Sequence, residues 1–159
     1  CGVLRPGGQA FTVVFDVSHI SHSTGRLENL DMAVSELIKF DGDILTFNDA
    51  KITSVTLTEE GGTVNVTGHQ DIYGLIYITY NLTLNPNVET QGAFTGKALG
   101  YGPAGERATA TLSGVWVRKE RNVTFYSLDD VSDGNFHFGR AELDLDKESA
   151  SINFSRMVK

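Results

Sequence analysis

Between residues 91 and 154 side-chain character alternates along the chain, in short runs broken by glycine and by Asp or Asn. Residues 92–96, 109–118, 123–126 and 141–145 carry this pattern, and no helix-length repeat lies among them. A period of two sends successive side chains to opposite faces, so these runs predict antiparallel strands with two unlike faces.

The same punctuation extends upstream. Residues 11–18 place Phe11, Val13, Phe15 and Val17 on one face. Residues 44–47 and 51–58 read as strands, Glu59-Glu60-Gly61-Gly62 as a hairpin turn, and 63–67 as the returning strand. In residues 72–84, Gly74, Ile76, Ile78, Tyr80, Leu82 and Leu84 share a face, and Asn85-Pro86-Asn87 ends the run. Further turns fall near residues 101–105, at Glu120-Arg121, around 129–135 and at 146–148. The stretch 28–40 reads either as a short helix, through Leu27, Leu30, Val34, Leu37 and Ile38, or as a strand with an irregular start. The expectation is an all-β, antiparallel closed barrel of about eight or more strands. A tail at residues 1–9 precedes a single domain over 10–159. A barrel is preferred to a sandwich because several strands are apolar on both faces: one face packs the interior, and the other meets a covering element or a second copy in a homo-oligomer.

Composition narrows the function. The 159 residues suffice for one hydrophobic core, and 40% hydrophobic with 21% charged residues excludes a disordered chain. Thirteen Lys and Arg against twenty Asp and Glu give a net charge of -7, which repels a phosphate backbone and argues against nucleic-acid binding. No apolar run approaches the roughly 20 residues of a membrane span. The lone cysteine, Cys1, permits no internal disulfide. It could be the lipid-bearing first residue of a periplasmic or outer-membrane lipoprotein, or merely where this stretch of chain begins.

Chemical motifs are sparse. His19 and His22, His69 and His137 have neither cysteine support nor an H-E-x-x-H pattern, so no metal site is expected. The acidic run from Asp129 to Asn135 fails as a calcium loop, since Val131 and Arg140 occupy its third and twelfth positions. No nucleophile elbow, phosphate loop or other cofactor motif is present. Asn65, Asn81, Asn122 and Asn153 each open an Asn-x-Ser/Thr triplet, but all lie in expected strands, where Thr is favoured on its own account. The aromatic residues suggest either core packing or an apolar cavity for a small hydrophobic molecule, with Tyr80, Trp116, Phe125 and Phe138 as candidate ligand contacts. Candidate catalytic residues are Glu142, Arg118, Arg140, Glu106 and His137. A charged group on an aromatic face is either at a rim or inside, and inside it must be paired.

Gly92-Ala93-Phe94-Thr95-Gly96 and the strand from Leu112 through Trp116 to Arg118 resemble the glycine-and-aromatic strands of the allene oxide cyclase and dirigent barrels. That resemblance implies an eight-stranded, often oligomeric barrel with a cofactor-free apolar cavity; it carries over no catalytic residue. Three functions stand open: a binding barrel for a small apolar or amphipathic ligand, a cofactor-free isomerase, cyclase or lyase in the same cavity, and a surface-attached interaction module.

Overall fold

The computed structural model describes residues 33–159. Within them lie one helical turn, α1 (Val34–Leu37), and nine strands: β1 (Phe40–Thr46), β2 (Asn48–Thr58), β3 (Gly61–Gln70), β4 (Gly74–Asn85), β5 (Val88–Tyr101), β6 (Arg107–Lys119), β7 (Asn122–Val131), β8 (Phe136–Asp144) and β9 (Ser149–Met157). The unit Ile38–Lys159 builds the sheet. The expected tail, the strand at 11–18, Cys1, His19 and His22 lie outside the described residues. In the described part of the ambiguous stretch the helix reading holds for one turn, α1, and β1 begins only at its last residue, Phe40; residues 28–32 lie outside the described residues.

From β2 to β9 every strand pairs antiparallel with its successor, and Lys51 of β2 pairs with Ser149 of β9 to close an eight-stranded barrel. β1 is an additional strand that continues the seam along β9, from Thr46 opposite Asn153 to Phe40 opposite Met157. The chain bends at the start of β2, where Asp49 takes a φ of 54°. Backbone bonds across the bend, from Phe47 N–H to Ile152 C=O at 3.0 Å and from Ile52 N–H to Glu148 C=O at 2.8 Å, keep β9 paired.

The register turns alternation into an inside and an outside. Val64 and Val66, then Ile76, Ile78 and Tyr80, then Phe94, Leu112, Trp116, Phe125 and Leu143 are buried in one core. Val115, Val117, Tyr126, Leu128, Phe136 and Phe138 are exposed on the outer surface, which is why so many strands looked apolar on both faces. Across the outer ladder Asn65 bridges Ser54 and Thr79 at 2.7 Å each, Thr63 donates to Asn81, and Thr46 donates to Asn153. Three of the four triplet asparagines are thereby engaged in cross-strand pairing.

The two ends of the barrel are filled differently. Towards the β4–β5 and β6–β7 turns Tyr80 stacks on Phe125 with centroids 4.2 Å apart, and Phe94 meets Phe125 edge-on at 5.0 Å. Trp116 completes this plug, its indole N–H donating to the Thr83 carbonyl at 3.1 Å. Gly92 makes that bond possible, because a β-carbon there would collide with the same carbonyl and stand 2.9 Å from the indole nitrogen. Towards the β3–β4, β5–β6 and β7–β8 turns the inward positions shrink to Ala98, Gly100, Ala108, Ala110, Gly139 and Ala141, and the interior is not filled.

Candidate functional site: a cavity at one barrel mouth

Small inward residues on β5, β6 and β8 leave a cavity of about 80 Å³ between the aromatic plug and the open end. Ile76, Ile78, Tyr80 and Leu112 form its apolar floor, while Ser127, Asp129, His137 and Tyr73 bring polar groups into its wall. That volume suits a few waters or a guest of about five non-hydrogen atoms. It is well below the ~300 Å³ at which drug-sized sites begin.

The polar wall comes from strand register. Position 129 continues the inward series Val123, Phe125 and Ser127, so Asp129 enters the barrel opposite Leu112 on β6 and His137 on β8. His137 in turn lies opposite Arg156 on β9. One inward row therefore reads Leu112, Asp129, His137, Arg156 across four strands. Tyr73 reaches the same mouth from the β3–β4 turn, where the buried Gln70 side chain accepts the N–H groups of Ile72 and Tyr73 at 2.8 and 2.9 Å. The Tyr73 hydroxyl donates to Asp133 at 2.6 Å and lies 3.5 Å from His137 Nε2. Asp133 also accepts the Asn135 N–H, and Ser132 ties the same turn to Thr109 through its hydroxyl and its N–H.

Burial sets the charge states. It pushes the Asp129 carboxyl up to about 6, although the Ser127 hydroxyl, donating at 2.5 Å, pulls the other way. Burial, then the Asp129 charge, raises Tyr80, and burial, then Asp133, raises Tyr73, so both phenols stay protonated. Burial also holds His137 below the usual imidazole range; Asp133 opposes this and Arg156 reinforces it. Asp133 is held below the usual carboxylate range: burial opposes this, and the bonds from Tyr73 and Asn135 prevail. At neutral pH the cavity thus combines a readily protonated carboxylate, a neutral imidazole and neutral phenols.

The residues singled out from sequence are spread over three places. His137 and Tyr80 are in the cavity wall. Trp116 and Phe125 belong to the plug that fills the opposite half. Phe138 is on the outer face, 6.2 Å from the Phe40 ring. Glu142 and Arg140 are also outside, paired with each other at 3.3 Å and about half exposed. Arg118 is exposed at the β6–β7 turn, donating to Glu120 C=O, and Glu106 is exposed in the β5–β6 turn. Three site residues were missed: Ser127, Asp129 and Tyr73. The acidic run from Asp129 to Asn135 reads in the sequence as a polar turn capped by Asp-Gly, whereas β7 runs on to Val131. The legible signal was the even spacing of Asp129 from Phe125 and the run of alternate Ala and Gly on the neighbouring strands.

Among the described residues no group of three or more His, Cys, Asp or Glu side chains is placed to hold a metal ion, and no helix is long and apolar enough to cross a membrane. Comparison of the chain with known protein families, with curated proteins and with solved structures finds no match.

Proposed function

We propose that the barrel binds a small amphipathic molecule in its mouth cavity, apolar part on Ile76, Ile78 and Leu112 and polar part on Asp129, Ser127 and His137. The observation carrying this reading is the asymmetry of the interior. A chain that builds a dense aromatic plug at one end places six Ala and Gly residues at the other, around a carboxylate whose burial is costly. Such a concave, mostly apolar space with a few convergent polar groups is the usual form of a small-molecule site. The test is a titration with neutral five-heavy-atom probes such as isobutanol, followed by NMR of the Ile76, Ile78 and Ile152 methyls. Saturable shifts that Ala110→Leu abolishes support the reading; unresponsive methyls at all probe concentrations refute it.

A second reading, cofactor-free proton transfer, is favoured by Asp129 itself. A carboxyl poised near 6 beside a cavity can take a proton from a carbon next to a carbonyl and return it elsewhere on the same molecule. Tyr80, held protonated, would donate to the developing oxyanion. Incorporation of deuterium into butanone from D₂O, lost in Asp129→Asn, is the readout. Exchange at the same rate in both proteins removes this reading and leaves binding untouched.

A further inference from the structure

The site has an acceptor in want of a charge partner. Asp129 is set in the cavity wall, and Ser127 is its hydrogen-bonding neighbour. Among the described residues the ion pairs are Arg121 with Asp146 and Arg140 with Glu142, both on the surface; Asp129 takes part in neither. Arg156 is two strands away along the inward row, and its charge acts on Tyr73 and His137. A carboxylate taken out of water needs a partner of opposite sign or a proton. The empty volume beside it is where such a partner would fit.

We infer that the cavity selects a small alkylammonium ion, its cation against Asp129 and its hydrocarbon part on the floor. This rests on the binding reading above and specifies its ligand class. Three features support it besides the geometry. The Tyr80 ring lines the cavity, and Phe154 lies beside His137 at 4.8 Å between centroids, so aromatic faces are at hand for an ammonium group. The net charge of -7 raises the local concentration of cations and lowers that of anions. Finally, neutral His137 offers a second acceptor nitrogen without competing as a cation. The groups facing Asp129 are Ser127 on its own strand, Tyr80 from β4, Leu112 from β6 and His137 from β8, with Tyr73 and Asp133 at the rim. Of these, Asp129 loses its negative charge as pH falls through about 6, and protonation of His137 on acidification acts in the same direction by adding a positive charge to the wall.

Three probes of similar size decide the matter: isobutylammonium, isobutanol and isobutyrate, titrated at about pH 7.5 with the isoleucine methyls as reporters. The ammonium ion should bind at least about tenfold tighter than the alcohol, and isobutyrate should bind weakest. Asp129→Asn should bring the ammonium ion down to the alcohol's affinity. In the unaltered protein, affinity for the ammonium ion should fall as pH drops through about 6, which needs no variant to fold. If the alcohol binds as well as the ammonium ion, or if Asp129→Asn keeps the preference, the inference is overturned and the binding reading stands. If none of the three binds, both fall together.

Discussion

Replacing Asp129 with Asn should stabilise the barrel at neutral pH. Burial moves this carboxyl from 3.8 to about 6, a rise of about two pH units. Between those values the folded chain holds a proton that the unfolded chain has released, so stability falls as pH rises through the window and stays reduced above it. At about 1.4 kcal/mol per unit the full cost is about 3 kcal/mol. The amide carries no charge, and its oxygen can still accept from Ser127, so Asp129→Asn should recover about 1–3 kcal/mol above pH 7. That corresponds to a rise in Tm of about 2–4 °C per kcal/mol for a chain of this length. Below about pH 4, where the carboxyl is protonated in both states, the two proteins should be equally stable. Urea unfolding followed by the single, buried Trp116 measures both from about pH 3 to 8. Parallel stability curves across that range would refute the placement of an ionisable carboxyl in the barrel interior.

Other perturbations probe the scaffold. Phe125 is 0% exposed and touches both Tyr80 and Phe94, so Phe125→Ala should cost about 3–5 kcal/mol in urea unfolding. Gly92→Ala should destabilise by several times the roughly 1 kcal/mol typical of single substitutions, and should shift Trp116 fluorescence, because its β-carbon meets the Thr83 carbonyl that the indole uses. Glu142→Gln should change stability by about 0.5 kcal/mol or less and leave probe binding unaltered, since its pair with Arg140 is half exposed on the outer surface.

Much of the barrel was legible because period-two alternation and turn residues are local signals. The hairpin at Asn85-Pro86-Asn87 is set by its own residues, with Asn85 accepting the Asn87 N–H, and the face shared by Ile76, Ile78 and Tyr80 follows from spacing alone. Closure was not local: Lys51 meets Ser149 across most of the barrel's length of chain, and nothing in either residue announces it. The candidate site was harder still. Aromatic residues drew attention to Trp116 and Phe125, yet large side chains fill space, and the cavity lies where Ala98, Gly100, Ala108 and Ala110 are small. Charged residues on aromatic-bearing strands drew attention to Arg140 and Glu142, but Phe138 beside them faces outward, so those charges are solvated. Asp129 was hidden because its role depends on which of two faces becomes the inside, a choice made by the whole closed sheet.

A ligand-binding mouth cavity is tested most directly by the response of the isoleucine methyls to isobutylammonium at about pH 7.5. Ile76, Ile78 and Ile152, which line the mouth cavity, should show saturable shifts that are lost when Ala110→Leu fills it. Methyls that stay unmoved, or shifts confined to the outer-face residues Val115 and Val117, would contradict it.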